Sequence, residues 1–321
     1  MKIKFYVALF SSILLLMPAV STAQASSQYK QVDEYVQTLG SMDSLNMGTI
    51  SHILTKNFSS NADKVRAIFC WIANNISFDV KRFKSSGNEK MTTEEVLKNR
   101  KANAYGYAAL FQDMCSVAKI RCLTVDGYAR YTTEDINEKP DNFNHSWAVV
   151  QLGTSPESWQ YADPAWGSGF IDDKMTVFTK AYNDAYFFAD KTIFNFQHLP
   201  DNTAWLLGPG TKDVKSFMAM PLVKNAAYEL GLTKFMPAGG YIKTKLKNPL
   251  EFSIALNPGA TVQIVALQII QGKKTETKTM DIKYQNGLLK FNHKFAEADT
   301  YPVNVLINNK MLLSYMIEVT D

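Results

Sequence analysis

Hydrophobic residues recur at every third or fourth position in two stretches of the N-terminal half, as in a helix that buries one face. The first stretch begins near Asn61, and the second runs from about Ala104 to Ala118. Between them, Thr92 and Glu95 have the spacing of a capping box, which predicts a short helix through Leu97. The two apolar faces consist of Val65, Ile68, Phe69, Ile72 and Ile76, and of Tyr107, Phe111, Met114 and Ala118.

The segments around these helices differ in polarity. Residues 26–57 have mixed polarity and favour a helical lead-in, whereas residues 81–90 are polar, contain a glycine and predict a loop. Beyond the second long helix, β-favouring residues predict strands over 121–130, 145–152 and 159–162. The pattern therefore predicts an α+β domain in which helices pack on an antiparallel sheet.

After Gly239 and Gly240 the pattern changes to short β-rich runs separated by turn residues, among which Asn286-Gly287 is a strong hairpin signal. About seven short strands in this region predict an immunoglobulin-like β-sandwich. We therefore predict a first domain over residues 26–238 and a second over residues 239–321. The predicted strands cover residues 241–247, 250–256, 261–270, 275–284, 287–294, 300–307 and 311–319.

The first 25 residues have the pattern of a signal peptide. Lys2 and Lys4 precede a short apolar run, and small residues then allow cleavage after Ala23 or Ala25. The run is too short for a stable membrane span, and no later segment reaches the roughly 20 apolar residues that a spanning helix needs. We expect a soluble protein that is secreted or periplasmic.

The charge and the cysteine content narrow the function further. The net charge is +4 and the basic residues are scattered, so we expect no nucleic-acid partner. Three cysteines remain, an odd number for an oxidising compartment. Cys115 and Cys122 could pair across a helix-to-strand turn; alternatively, both they and Cys70 are buried free thiols.

A Cys-His-Asp hydrolase or acyltransferase needs a helix N-terminus, a histidine on a strand and an aspartate at a strand end. Three separate segments of this chain provide these positions. They are the start of the second long helix at Ala104, a strand that begins at His145, and a strand end at Asp163. A thiol at a helix N-terminus has a lowered pKa, a histidine handles the proton, and an aspartate orients the imidazole. Such a thiolate attacks a carboxamide or peptide carbonyl to form a thioester.

Residues 64–169 resemble the transglutaminase-like core, a papain-type cysteine fold. The family pattern R-K-x-x-C-x-G-Y-A corresponds to residues 100–108, with Ala104 in the cysteine position. The His-x-Trp element corresponds to His145 and Trp147, and the Asp-Pro-x-Trp-Gly element to residues 163–167. Residues 197–207 and the β-rich domain are similar to kyphoscoliosis-peptidase-like and cytokinesis-type relatives. The resemblance implies a papain-like transglutaminase core followed by the β-sandwich.

Alanine at position 104 has no lone pair and cannot form a thioester. Loss of a covalent nucleophile typically lowers the rate by several orders of magnitude. Cys115 lies about 16 Å further along the same helix, too far to replace it. Ala104 is either the natural residue or a laboratory replacement of cysteine, and the leader sequence favours the natural residue.

The other candidate residues have less specific roles. Tyr105, Trp147 and Trp166 flank the three motifs and are candidate contacts for a ligand, although Trp166 also suits a packing role. His198 is predicted to be structural and to lie in a loop. No His or Cys pair has the spacing of a zinc site, so we expect neither a metal nor a cofactor.

Three functions fit these observations. The first is a catalytically silent transglutaminase-like protein that binds an extended peptide or a cell-wall or cell-surface protein through the remnant cleft. The second is a cysteine peptidase or protein-glutamine acyltransferase, present here in a Cys-to-Ala inactivated form. The third is a structural or adhesion module led by the β-sandwich.

Overall fold

The computed structural model describes residues 28–321, and the predicted signal peptide lies outside the described residues. Helices and a four-stranded sheet enclose one hydrophobic core in the first part of the chain. Two further sheets enclose a second core in the C-terminal part. The fold is therefore mixed α and β, with a helix-and-sheet domain followed by a β-sandwich.

The helices of the first part begin where the sequence provides a cap. Asp63 N–H donates to Ser60 Oγ at the start of the third helix, and the predicted capping box of Thr92 and Glu95 is present. Six helices precede the main sheet in the described chain. They are α1 (Lys30–Thr38), α2 (Met47–Thr55), α3 (Asn61–Asn75), α4 (Val80–Ser86), α5 (Thr93–Asn99) and α6 (Ala104–Val117).

The predicted loop over residues 81–90 was partly wrong, because residues 80–86 form α4. None of its residues is fully buried, and only Val80 and Phe83 pack partly against the core, so its apolar pattern is too short to be recognised in the sequence. Its start is fixed by Asp79, whose side chain accepts a hydrogen bond from the Arg82 N–H at 3.0 Å. A local cap, rather than hydrophobic periodicity, thus specifies this helix.

The central sheet of the first domain is antiparallel, and its strands lie in the order 159–162, 145–151, 122–129 and 198–200. Helix α6 packs against the strands 122–129 and 145–151. All three strands that the sequence predicted are present. The first eight strands are β1 (Ser77–Phe78), β2 (Lys101–Ala102), β3 (Cys122–Ala129), β4 (His145–Gln151), β5 (Trp159–Ala162), β6 (Gly169–Ile171), β7 (Phe178–Lys180) and β8 (His198–Pro200). Four short helices complete the described helices: α7 (Pro164–Ser168), α8 (Lys191–Gln197), α9 (Val214–Met218) and α10 (Ala226–Leu230).

The C-terminal strands form two sheets that share one core; Phe252 of one sheet and Tyr315 of the other lie 5.7 Å apart between ring centroids. The remaining strands are β9 (Leu222–Val223), β10 (Lys234–Met236), β11 (Tyr241–Lys245), β12 (Pro249–Ala255), β13 (Val265–Gln271), β14 (Lys274–Thr279), β15 (Lys283–Gln285), β16 (Leu288–Lys294), β17 (Asp299–Ile307) and β18 (Lys310–Thr320). One sheet has the order β10-β12-β16-β15; the other has the order β11-β18-β17-β13-β14, with β9 beside β18.

One predicted strand of the sandwich was wrong. The run 275–284 divides into β14 and β15, which belong to different sheets, because the chain crosses from one sheet to the other at residues 280–282. The hairpin expected at Asn286-Gly287 joins β15 to β16, and both residues have positive φ angles of 50° and 78°.

The hydrophobic core of the sandwich begins before the predicted domain boundary. Ile193, Val223, Leu230 and Phe235 all pack into it, although they precede residue 239. The boundary itself stays a prediction. Within residues 28–321, none of the helices combines the length and apolar character needed for crossing a membrane.

The three cysteines are buried and free, so the alternative of a bond between Cys115 and Cys122 is not realised. Burial raises the pKa of the Cys115 thiol well above its ordinary value, and the neighbouring Cys122 adds to that effect. Burial likewise raises the pKa of Cys70 to about 11. Cys70 and Cys115 therefore lack the lowered pKa of a reactive thiol.

Candidate functional site

His145 and Asp163 meet at one end of the central sheet. His145 is the first residue of β4 and Asp163 follows β5 directly, and these two strands are neighbours. The distance from His145 Nε2 to Asp163 Oδ2 is 2.7 Å, and both side chains are fully buried. The structure therefore brings together the histidine and the aspartate that the sequence motifs singled out.

The Asp-Pro-x-Trp-Gly motif has a direct structural explanation. Asp163 caps α7, since its Oδ1 accepts hydrogen bonds from the N–H groups of Ala165 and Trp166, each at 3.0 Å. Pro164 occupies the first helical position, where a missing N–H costs nothing. A side chain at Gly167 would collide with the Phe69 ring, because an added Cβ would lie 2.4 Å from its Cζ.

His198 is a third member of this cluster. It lies in β8, where it pairs with Ala129 of β3, and not in the predicted loop. Its Nε2 is 3.1 Å from the same Asp163 Oδ2, and its ring stacks on Phe194 with 3.9 Å between centroids. The prediction of a structural role overlooked this contact. The only sequence signal was the scarcity of histidine, because the β3–β8 pairing joins residues about 70 positions apart.

The cluster holds a negative charge on Asp163 in a buried place. Burial alone would raise the pKa of Asp163, but the hydrogen bonds and charges of His145 and His198 outweigh it and hold this pKa well below its usual range. Burial is also the main cause that lowers the pKa of His198 to about 4, although Asp163 opposes it. His198 is therefore neutral at neutral pH.

Both ring nitrogens of His145 have partners. Opposite the Asp163 contact, Nδ1 lies 3.0 Å from the Tyr131 hydroxyl. That hydroxyl has one hydrogen, which either Nδ1 or the Asn144 carbonyl oxygen, at 3.1 Å, can accept. Burial raises the pKa of Tyr131 well above its ordinary value and keeps the phenol protonated. The nitrogen that would exchange a proton with a nucleophile thus contacts a tyrosine.

Ala104 is fully buried as the first residue of α6. Asn103 caps this helix by accepting a hydrogen bond from the Gly106 N–H. Asn88 then connects the helix to β4: its Oδ1 accepts from the Tyr105 N–H at 2.8 Å, and its Nδ2 donates to Ser146 Oγ at 2.7 Å. The residue after Ala104 and the residue after His145 are therefore joined through one side chain, which the sequence did not indicate.

The predicted ligand contacts occupy different environments. Trp147 is fully buried, and its ring stacks near His145 with 6.2 Å between centroids. Tyr105 is half-buried beside the Asn88 bridge. Trp166 packs on His145 and His198 with centroid distances of 5.3 and 4.6 Å, and it also lines a cavity. Trp166 thus separates the buried cluster from that cavity.

The same three side chains have the donor types of a metal site. One ligand atom each from His145, Asp163 and His198 lies within 4.8 Å of the other two. In this arrangement, however, the atoms contact one another directly at 2.7 and 3.1 Å, and Asp163 Oδ1 is used as a helix cap. An ion could bind only by replacing both hydrogen bonds.

The fold of the first domain agrees with comparisons to known proteins. The family model of the transglutaminase-like superfamily matches residues 49–164, so this part of the chain is a transglutaminase-like domain. Kyphoscoliosis peptidase of Mus musculus is 28% identical over 78% of this chain and 35% of its own length. The Homo sapiens protein is 28% identical over 86% of this chain and 39% of its own. This chain therefore spans well under half of these relatives.

Two more distant similarities were found. Hillarin of Drosophila melanogaster is 22% identical over 67% of this chain and 28% of its own length. A solved structure from Parabacteroides distasonis aligns with 90% of this chain and 58% of its own at 11% identity, and its TM-score of 0.31 is too low to carry an argument.

Proposed function

We propose that this chain is a catalytically silent transglutaminase-like protein that acts outside the cytoplasm and binds an extended peptide or a protein. The observation that carries the proposal is Ala104 at the helix start where the family pattern has cysteine, in a chain that keeps the His145–Asp163 pair. A methyl group offers no electrons to a carbonyl carbon. The thioester route is therefore closed.

The surroundings of His145 support a structural use of the remaining residues. Its two nitrogens bond to Asp163 and Tyr131, and the ring is fully buried. A general base needs a nitrogen within reach of the proton that it abstracts. Here Nδ1 of His145 contacts the protonated hydroxyl of Tyr131, and it therefore does not face a nucleophile whose proton it could take.

A binding role is supported by the cavity that begins at Tyr131 and Trp166. His145 contacts the Tyr131 hydroxyl, and His145 and His198 pack against Trp166, so the buried cluster holds both aromatic side chains in place. The cluster can thus shape a binding surface without taking part in a reaction. The ligand would be a segment of a cell-surface or cell-wall protein if the predicted leader directs export. Secretion belongs to this proposal and depends on that leader.

The decisive test compares the native chain with Ala104→Cys and His145→Ala in assays of amide hydrolysis, peptide cleavage and amine incorporation. We expect the native chain to equal His145→Ala at background in all three. Turnover by the native chain that disappears in His145→Ala would overturn the proposal. Circular dichroism of each variant shows that the fold is retained.

The relatives' name favours a second candidate, a cysteine peptidase or glutamine acyltransferase whose nucleophile has been replaced. Kyphoscoliosis peptidase is described as a peptidase, and the His145–Asp163 pair is retained. A cysteine at position 104 would attack, His145 would move the proton, and the backbone N–H of residue 104 would supply part of an oxyanion hole. A cysteine codon at this position of the source gene would establish this candidate.

A further inference from the structure

A cavity of about 610 Å³ lies between the two domains, within the size range of ligand pockets. The first domain contributes Tyr131 and Trp166, and the second contributes Lys310 and Met311. Tyr131 and Trp166 are the residues that cover His145, so the cavity and the buried cluster share one wall.

Arg130 lines this cavity and is only 5% exposed. Its guanidinium donates to two backbone oxygens, those of Met220 and, at 2.7 Å, Phe196. Its Nε has no hydrogen-bond partner among the described residues, and none of their carboxylates forms an ion pair with it. A buried cation without a paired anion is unfavourable. Burial lowers the pKa of Arg130, and the charge of Asp135 opposes this effect only in part.

Lys224 is a second cation on the same cavity without a carboxylate partner within 4.0 Å in residues 28–321. Its Nζ donates only to the Tyr131 backbone oxygen, at 3.4 Å. Burial lowers the pKa of Lys224; Asp173 opposes this effect, and the charge of Arg130 adds to it. Two cations that repel each other therefore line one cavity.

The nearby acidic residues neutralise this pair only in part. The charges of Asp135 and Asp173 oppose the lowering of the Lys224 pKa, but no carboxylate of the described residues lies within 4.0 Å of either cation. Glu229 forms an ion pair with Lys310 at 2.6 Å, and Asp172 accepts hydrogen bonds from Thr176. Asp173 is exposed, and it forms no ion pair with a described residue. An anion from outside could thus supply the charge that Arg130 and Lys224 lack.

Apolar side chains flank these cations. Phe170 and Met311 line the cavity and are 56% and 46% exposed, unusually open for large hydrophobic residues. Trp166 and Phe178 add aromatic surface to the same wall. An occupant should therefore carry both an anionic group and an apolar group.

We propose that this cavity binds the carboxylate end of a peptide, with Arg130 and Lys224 as its charge partners and the side chains of Phe170 and Met311 against its apolar residues. This inference rests on the proposed peptide-binding function and specifies the ligand class. A carboxylate presents two acceptor oxygens, which suits a guanidinium and an ammonium that line the same cavity.

The test uses the full chain in equilibrium dialysis against two pools of random tetrapeptides, one with free C-terminal carboxylates and one with C-terminal amides. Mass spectrometry measures which peptides are retained. We expect at least tenfold greater retention of the free acids, with an enrichment of apolar residues at the C-terminus. Equal retention from both pools of peptides that contain Asp or Glu would show that side-chain carboxylates are bound, and it would contradict a site for the C-terminal carboxylate.

Variants locate the site. Lys224→Met should reduce retention of the free acids about tenfold, and Arg130→Met should do the same or more. Arg130 also donates hydrogen bonds to two backbone oxygens, so Arg130→Met could fail to fold. In that case Lys224→Met alone provides the test. Lys243→Met, an exposed lysine outside the cavity, should retain the native value.

The outcomes separate this inference from the proposed function. Equal retention of acids and amides, unchanged in Lys224→Met, would overturn the carboxylate site and leave the silent peptide-binding protein intact. Cleavage of the peptides during dialysis would overturn the silent function instead. Retention of neither pool would overturn the carboxylate site.

Discussion

Asp163 organises the buried cluster through both of its oxygens. Oδ2 contacts the two histidines, and Oδ1 caps α7. Hydrogen bonds to a buried carboxylate are among the stronger ones in proteins, and leaving such a group without partners is costly. These contacts therefore stabilise the fold whether or not a nucleophile is present.

The protonation of His198 predicts a pH dependence of stability. Its pKa is about 4 in the folded chain and near 6.5 when unfolded, so the unfolded chain binds this proton first as the pH falls. Stability from this group is complete above pH 6.5 and is lost as the pH falls towards 4. Between pH 7.5 and 5 we expect a loss of about 2 kcal/mol.

Urea unfolding at both pH values measures this loss. His198→Gln lacks the group that titrates, so its free energy of unfolding should fall less between pH 7.5 and 5 than that of the native chain. His52→Gln, at an exposed site on α2, should keep the native pH dependence. An unchanged pH dependence in His198→Gln would show that His198 is not the titrating group.

At the scale of elements, the close pairing of β3 with β8 brings His198 to the cluster. Gly127 of β3 pairs with Pro200, and an added Cβ there would lie 2.2 Å from the Leu199 backbone oxygen and 2.8 Å from the Trp147 ring. Only glycine allows the two strands to approach in this way.

Gly127→Ala should therefore destabilise the chain by about 2–3 kcal/mol, in the range of overpacked cores. Urea unfolding measures the effect. Gly48→Ala is the matched control, because its nearest contact for a new Cβ is 3.5 Å away in helix α2, and alanine favours helices. The explanation by backbone approach would be wrong if Gly127→Ala were as stable as Gly48→Ala.

The elements also indicate how far sequence reasoning reaches. The helices α3 and α6 and the strands β4 and β5 were predictable, because periodicity and caps are local. The pairing of β8 with β3 was not, since a three-residue strand has too short a pattern. His145 and Asp163 were predicted to meet because each lies in a recognisable motif. His198, Tyr131 and Asn88 lie in no such motif, so their place in the cluster was not predicted.

At the scale of the whole molecule, the second core depends on residues from before and after residue 239. Val223, Leu230 and Phe235 pack with the strands of the sandwich. The cavity between the domains depends on the same packing, and sequence patterns contain no information on how two domains sit together.

A chain that ends at residue 239 should therefore expose the apolar side chains of residues 222–235 and associate or unfold. Size-exclusion chromatography and thermal melting, beside the full chain, measure this outcome. A monomer that melts at the full chain's temperature would mean that the first domain does not need the sandwich.

The central claim is that the native chain forms no covalent acyl intermediate, because it has no thiol at the start of α6. Intact-mass spectrometry after incubation with an activated acyl ester tests it most directly, with Ala104→Cys measured in parallel. The account predicts an unchanged mass for the native chain. An acyl adduct on the native chain that forms at Cys70, Cys115 or Cys122 and requires His145 would contradict it.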